Sequence, residues 1–248
     1  MSKGKKILTG VLITLVILVS IVVLVAGYFG LIPGLADVFG ANKPRDLGVR
    51  YTQADYTNYL QKTNTQLFSF SQAPVPPARS TDTIIYTDPQ PKNVTLTNAE
   101  ITSRADSSKW KDLPISNVQI KCGAGGVVEI SAQLISDRLS NFVNIAGGGG
   151  YSPAEIQTGL DWLGFAGKNP AIYLKATASV TNNVASAQVT SAQINRFSLP
   201  NDLVSAGAVA MAQTIFTRVT GLNIKSATFS DSGLTFVGDA PTKVYITQ

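Results

Sequence analysis

The feature that most constrains this chain is an uninterrupted apolar segment near its start. Residues 7–36 contain no charged side chain, and Val, Ile and Leu dominate the centre of the segment. A helix rises about 1.5 Å per residue, so residues 7–29 would extend roughly 35 Å, enough to cross the apolar core of a bilayer. The sequence therefore predicts a single-pass transmembrane helix over residues 7–32.

Three lysines, Lys3, Lys5 and Lys6, precede the apolar segment. Positive charges beside a transmembrane helix favour the cytoplasmic side. Residues 1–6 are therefore predicted to form a cytoplasmic tail, and the C-terminal domain is expected outside the cytoplasm. The expected location is the cell membrane, and the lipid bilayer is an expected partner. A cleaved signal peptide is the alternative. Its apolar region is typically about 7–15 residues long, which is roughly half the length found here, and the sequence leaves open whether cleavage ever occurs.

Charge and reactive residues exclude several classes of function. The net charge is +5, of which the three lysines of the tail supply three. The remaining charges are scattered, so nucleic acid is not an expected partner. No histidine is present and Cys122 is the only cysteine, which removes the commonest general base and metal ligand at neutral pH. Ser108 and Lys111 have the spacing of a Ser–Lys nucleophile pair without its companion motifs, so the sequence predicts no catalytic residue, metal site or cofactor.

A sequence repeat precedes the main domain. Residues 49–57 match residues 94–102 at an offset of 45 residues. Both copies, and a weaker third one, place Ser or Thr three positions before Asp or Glu, which is the pattern of a capping box at a helix start. The repeat indicates a duplicated strand–helix module or, alternatively, a chance recurrence of capping boxes. The three pairs are Thr52 with Asp55, Thr97 with Glu100, and Ser152 with Glu155.

The chain beyond the anchor divides into two parts. Residues 33–93 are interpreted as a juxtamembrane linker, the first module and a Pro-rich connector, and residues 94–248 as an extracytoplasmic α+β domain. Alternating apolar and polar residues predict hairpins, and helical spacing predicts helices. Hairpins are expected over residues 117–132, 172–194 and 222–237, helices over 153–163 and 203–219, a flexible loop at 147–150, short strands at 83–86 and 244–246, and a sheet extension at Phe142 and Ile145.

The predicted fold class is α+β. An N-terminal transmembrane helix is followed by an elongated antiparallel sheet that is built from hairpins and packed with helices. Cys122 falls on the apolar side of its strand, in alternation with Val118 and Ile120, so its thiol is expected to be buried and inert.

A more specific pattern occupies residues 169–204. Asn-Pro-Ala-Ile-Tyr-Leu starts a strand at Asn169, and a hairpin leads to Ile-Asn-Arg-Phe-Ser-Leu-Pro, which ends at Pro200 before a helix. This pattern resembles the YpmS-like family of bacterial single-pass envelope proteins and, more distantly, the LmeA-like proteins, over residues 94–248. The resemblance implies a curved sheet wrapped on helices, similar to tubular lipid-binding proteins, with a role in envelope lipid handling. Residues 37–93 depart from the family pattern.

Small side chains on the central hairpin and the long C-terminal helix suggest where a ligand would lie. If the helix stands off the sheet, the two elements enclose an apolar groove. The alternative is close packing through the small residues. The candidate groove residues are Ile172, Leu174, Ala176, Ala178, Val204, Ala208, Met211, Ile215 and Val219.

These patterns favour a non-enzymatic, membrane-anchored extracytoplasmic protein that binds lipid or another apolar ligand at the bacterial cell envelope. The alternative is an anchored scaffold that binds envelope proteins without a small ligand, through its sheet edges and the connector over residues 73–93. A cell-wall enzyme that uses only Asp, Glu or Lys is the least favoured reading. The sequence names neither the ligand nor the oligomeric state.

Overall fold

The computed structural model describes the backbone of residues 3–32, 34–150, 152–164 and 167–248. The side chains at 3–12, 150, 153, 160 and 162–164 also lie outside the description, and these include the lysines of the predicted cytoplasmic tail. Seven helices are described: α1 Lys3–Tyr28, α2 Leu35–Phe39, α3 Gln53–Thr63, α4 Asn98–Asp106, α5 Ser136–Ala146, α6 Pro153–Gly164 and α7 Asn201–Arg218.

The strands described belong to one sheet, and the α+β class is confirmed. They are β1 Gln66–Ser69, β2 Ile84–Leu96, β3 Ile115–Gly123, β4 Val127–Leu134, β5 Ala171–Thr181, β6 Val184–Ile194, β7 Phe197–Ser198, β8 Asn223–Ser230 and β9 Gly233–Ile246. The main path runs β1-β9-β8-β5-β4-β3, with β2 on β9, β6 on β5 and β7 on β6. All described pairs are antiparallel except β1 with β9, which is parallel. The sheet is therefore mixed.

Two long ribbons give the sheet its shape. β2 pairs with β9 from Ile84 opposite Ile246 to Leu96 opposite Leu234, and β5 pairs with β6 from Ile172 opposite Ile194 to Thr181 opposite Val184. β8 joins the ribbons because it pairs with both β9 and β5. The predicted β3–β4, β5–β6 and β8–β9 hairpins are confirmed, since side-chain alternation is a local signal that needs no knowledge of distant partners.

Helix α1 exposes its apolar side chains from residue 13 to residue 25. Within the part of the chain that the structure describes, no helix meets the length and apolarity required of a membrane span.

Two local predictions need correction. The strand predicted at residues 83–86 exists but is much longer than expected, since β2 runs for 13 residues from Ile84 to Leu96. Pro89 and Pro91 are tolerated there because β2 pairs only with β9, and a proline can turn its missing N–H away from the ladder on an edge strand. Phe142 and Ile145 lie in α5 rather than extending the sheet, because Leu139, Phe142, Val143 and Ala146 follow helical spacing.

The remaining differences concern boundaries. β9 runs unbroken to Ile246, so the separate final strand at residues 244–246 is part of one 14-residue strand. No strand precedes α3 among the described residues, so the first copy of the repeat is a helix start without its strand. The glycines over residues 147–150 cap α5 and form a short 3₁₀ turn, with Gly147 at φ 92°.

The capping boxes form at the start of α4 and α6. The Thr97 hydroxyl accepts from the Glu100 backbone N–H at 3.2 Å, and Glu100 accepts from the Thr97 N–H at 2.8 Å. Ser152 and Glu155 exchange the same two hydrogen bonds. At α3, Asp55 accepts from both the N–H and the hydroxyl of Thr52. These bonds satisfy amides that a helix start leaves unpaired.

Candidate ligand-binding cavity

The residues of the predicted groove are spread along α7 and β5. Ala176 is 3 % exposed and belongs to a buried cluster with Val128, Val189 and Ala192. Leu174, Ala178 and Val204 pack against that cluster, and Ile172 lies opposite Ile194 and Ala132. This half of the predicted groove is close-packed.

The other half of the predicted groove lies farther along α7. Ala208 and Met211 are half-buried, and a Cβ at Gly149 would lie 3.5 Å from the backbone nitrogen of Met211, so the glycine run approaches the helix closely. Ile215 and Val219, near the end of α7, line a cavity. The nine residues are therefore not brought together into one groove, although two of them reach a cavity that other elements build.

That cavity is one of three adjoining ones, which together we name the Tyr86 cavity because Tyr86 lines all three. Their volumes are about 350 Å³, 320 Å³ and 250 Å³. The first two share Tyr59, Tyr86, Leu96, Arg104 and Leu234. The second and third share Ile84, Tyr86 and Trp110. An elongated and largely apolar space results.

The β2–β9 ribbon forms the floor of the Tyr86 cavity. The middle cavity is lined by Ile84 and Leu96, which are the two ends of β2. A flat strand of this length would separate its ends by about 40 Å, so the ribbon must be curled and its concave face encloses the cavity. Both strands depart from regular extended backbone between their ends, with a φ of 58° at Asp88 and of 153° at Gly238.

Alternation along the ribbon decides which side chains face the cavity. Residues directly opposite each other in an antiparallel pair share a face of the sheet. The pairs that point into the cavity are Tyr86 with Val244, Val94 with Phe236, and Leu96 with Leu234.

Two short helices cover the concave face. α3 contributes Tyr59 and α4 contributes Arg104. An ion pair joins the helices, since Lys62 of α3 lies 2.8 Å from the carboxylate of Glu100 of α4, which is almost fully buried. The capping box at Thr97 fixes the start of α4, and the sequence repeat thus marks the two helices that close the cavity.

Charge in the larger two cavities is exclusively positive among the described residues. Arg104 and Lys92 line them, and no Asp or Glu does. The Arg104 guanidinium lies 5.9 Å from the centre of the Tyr59 ring, within reach of a cation–π contact. Burial lowers the pKa of Lys92, although the charge of Asp88 opposes this shift.

The two tyrosines of the cavity remain neutral donors at physiological pH. Burial raises the pKa of Tyr86 to about 12 and also raises that of Tyr59, where Arg104 partly opposes the shift. Among the described residues the Tyr86 hydroxyl has no hydrogen-bond partner, so it is available to a ligand.

The far end of the Tyr86 cavity is lined by α5, α7 and the connector. Arg79 pairs with Asp82 and donates to the carbonyls of Asn144 and Ile145 at the end of α5. Because these acceptors occupy both terminal nitrogens of Arg79, its guanidinium joins the connector to α5 and stabilises this side of the cavity. Trp110 donates from Nε1 to the Thr83 hydroxyl at 2.9 Å.

The segment that follows α1 folds back onto the domain. Arg196 donates to the carbonyls of Tyr28 and Phe39 at 3.3 Å and 2.6 Å, and its guanidinium lies 4.1 Å from the centre of the Tyr28 ring. Phe29 packs on Phe197 with 4.9 Å between ring centres. We call these five residues the N-terminal clamp.

The linker beyond the clamp also lies on the sheet. Arg45 stacks 3.7 Å from the centre of the Tyr173 ring, and the Gln119 side chain accepts from the backbone N–H of Leu47. The predicted juxtamembrane linker is therefore bound to the domain along much of its length.

Cys122 is buried, as the strand alternation predicted. Burial raises the pKa of its thiol to about 11, so the thiolate is scarce at neutral pH. Within the described residues, no group of three or more Cys, Asp or Glu side chains could hold a metal ion.

Comparison with known proteins gives no match to a family model, to a curated protein or to a solved structure. The resemblance to the YpmS-like family therefore stays a prediction.

Sequence reasoning missed the residues that line the Tyr86 cavity. Tyr59 and Arg104 lie in helices whose starts were predicted correctly. Tyr86 lies in a strand whose beginning was predicted but whose length was not. The available signal was the capping-box repeat, which marks both covering helices. No local sequence pattern indicates that β2 pairs with the distant strand β9 to form a curled ribbon under α3 and α4.

Proposed function

We propose that this chain is a non-enzymatic, membrane-anchored extracytoplasmic protein that binds a lipid or a similarly long apolar ligand in the Tyr86 cavity. The observation that carries the proposal is that three cavities adjoin one another and share lining residues, with Tyr86 common to all three. Ligand sites are typically concave, about 300–1,000 Å³ in volume, and mostly apolar with a few polar groups. The Tyr86 cavity matches that description, since aromatic and aliphatic side chains alternate with isolated hydroxyl and cationic groups.

The anchoring part of the proposal rests on the N-terminal sequence. The charge-free segment preceded by Lys3, Lys5 and Lys6 supports a single membrane crossing with the tail in the cytoplasm. The exposed apolar side chains of α1 from residue 13 to residue 25 would be costly in water, where large apolar patches mark interaction or membrane surfaces.

Ligand binding can be tested by filling part of the Tyr86 cavity with a larger side chain. Ala105 lines the middle cavity from α4. Ala105→Phe in the detergent-solubilised full chain should occupy that space, so that co-purified lipid, measured by solvent extraction and mass spectrometry, falls severalfold while the unfolding midpoint stays within a few degrees of the wild type.

The matched control is Ala176→Phe. Ala176 is fully packed in the cluster with Val128, so the same added volume should overpack a core and destabilise the domain by at least about 1–3 kcal/mol. If Ala105→Phe destabilises as much as this control and the wild type carries no lipid, the cavity is ordinary core and the proposal fails.

The scaffold alternative has less support. Residues 84–93 of the predicted connector are paired in β2, so only residues 73–83 remain as a connector that could bind a partner protein.

A further inference from the structure

We propose that Arg104, assisted by Lys92, binds the anionic group of an amphiphile whose apolar chain lies along Tyr86. The inference rests on the proposed function, and it specifies the charge of the ligand. It assigns a site for a carboxylate or phosphate group at the junction of the two larger cavities, where Arg104 lines both.

The first observation is that Arg104 is half-buried without an ion pair. None of the ion pairs among the described residues includes Arg104 or Lys92. A guanidinium that is partly removed from water loses solvation, and an opposite charge normally compensates for the loss. Tyr59, whose ring centre lies 5.9 Å away and whose hydroxyl also interacts with the guanidinium, is uncharged and compensates only in part.

The second observation is that the nearest carboxylates on α4 have other partners. Glu100 lies four residues before Arg104, the spacing at which an acidic and a basic side chain usually pair on a helix. Glu100 instead pairs with Lys62 and accepts from the Thr97 amide. Asp106 accepts from the Tyr51 hydroxyl at 2.7 Å and from the Val118 N–H at 2.8 Å.

Lys92, which lines the larger cavity together with Arg104, is also half-buried and has no ion pair among the described residues. The nearest acidic side chain that acts on it is Asp88. Asp88 accepts from the hydroxyl of Thr242 at 2.8 Å and lies 3.5 Å from the ammonium of Lys243. Two cationic side chains thus line the cavity, while the acidic side chains near them are bound to other partners.

The third observation is the arrangement of polar and apolar groups. The Tyr86 hydroxyl lines the same cavity as Arg104 and Lys92 and can donate to an anion. Phe236, Leu234 and Val94 line it as well. A free inorganic anion would pair with the cations but leave this apolar surface empty, whereas an anionic amphiphile satisfies both.

The test uses the full chain in a neutral detergent at constant ionic strength. Dodecyl phosphate, dodecanol and inorganic phosphate are added separately, with the two amphiphiles at matched mole fractions in the micelle. Apparent affinity is derived from the rise of the unfolding midpoint with ligand concentration. The wild type should bind dodecyl phosphate at least about tenfold more tightly than dodecanol, because charge-assisted hydrogen bonds are the stronger ones.

Arg104→Gln should abolish that preference and leave the affinity for dodecanol unchanged. Arg104→Lys should retain part of it. Lys225→Gln removes the same charge from an exposed position on β8 and should leave both affinities at their wild-type values, which controls for net charge.

The outcomes separate the two proposals. Equal binding of both amphiphiles, unaffected by Arg104→Gln, would overturn the anionic site while leaving the apolar ligand intact. Arg104-dependent binding of inorganic phosphate with no binding of either amphiphile would show an ion site only and would overturn both proposals. Absence of binding by all three probes would also reject both.

Discussion

At the scale of single residues, two arginines of the Tyr86 cavity have different surroundings. Arg104 and Arg79 both line the Tyr86 cavity. Arg79 is engaged by Asp82 and by carbonyls at the end of α5, so it acts as part of the wall. Arg104 has no such partners and is the residue we expect to meet a ligand. An inventory of charged residues in the sequence does not distinguish the two.

Cys122 allows a prediction about pH. Its pKa is raised from 9.0 to about 11 in the folded protein, so the unfolded chain loses the thiol proton first as the pH rises. Stability that is fully present below pH 9 should therefore decline between pH 9 and 11. From pH 8 to 10 the loss should be roughly 1 kcal/mol, measured by denaturant unfolding.

Cys122→Ala should remove this part of the pH dependence. The comparison isolates the thiol because the tyrosines with a raised pKa, among them Tyr86 (from 10.0 to about 12), contribute the same decline to the wild type and to the variant. Identical pH profiles for the wild type and Cys122→Ala would show that the thiol is solvated in the folded protein.

At the scale of elements, helix starts were the most predictable feature and the curled ribbon the least. The pattern of a capping box spans only four consecutive residues, so the starts of α4 and α6 could be predicted from the sequence. β2 passes through Pro89 and Pro91 and pairs with a strand that begins at Gly233. Its length therefore depends on a distant partner, and local rules favour a loop. The pairing of Glu100 with Lys62 instead of Arg104 could not be predicted either, because Lys62 is also distant in sequence.

The capping box at Thr97 can be tested against the related pair at Thr52. Thr97→Ala removes an acceptor for the Glu100 amide and should lower the free energy of unfolding by about 1 kcal/mol. Thr52→Ala should cost less, because the Thr52 hydroxyl donates to Asp55 and α3 has no buried residue. Chemical denaturation of both variants would measure the difference. Equal losses of about 1 kcal/mol would mean that Thr52 caps α3 as effectively as Thr97 caps α4, and no loss in Thr97→Ala would mean that its hydroxyl contributes no cap.

At the scale of the whole molecule, the N-terminal clamp fixes how the first helix meets the domain. A linker rich in glycine and proline was expected between them, yet Arg196, Phe197 and the aromatic residues after α1 form a packed junction. If α1 crosses a bilayer, as we propose, the domain is held at the membrane surface and is not tethered at a distance.

Arg196→Ala should loosen this junction. Hydrogen bonds to a charged group typically contribute about 1.5–3 kcal/mol, so amide exchange over residues 28–41 should accelerate at least roughly tenfold. Hydrogen–deuterium exchange of the full chain would measure the change, with Lys225→Ala as a control on a distant exposed lysine. Unchanged exchange in Arg196→Ala would mean that the aromatic contacts hold the junction without the guanidinium.

The central position of β9 has a consequence for how the protein is made. β9 is the last strand of the sheet in chain order, yet it pairs with β1, β2 and β8. A chain that emerges from its N-terminus must therefore keep β1 and β2 without their partner until β9 has been synthesised. Such distant pairings fold slowly, and unpaired strands are prone to aggregation. The Tyr86 cavity thus cannot form before β9 is available, so a chain truncated before β9 presents no site to its ligand.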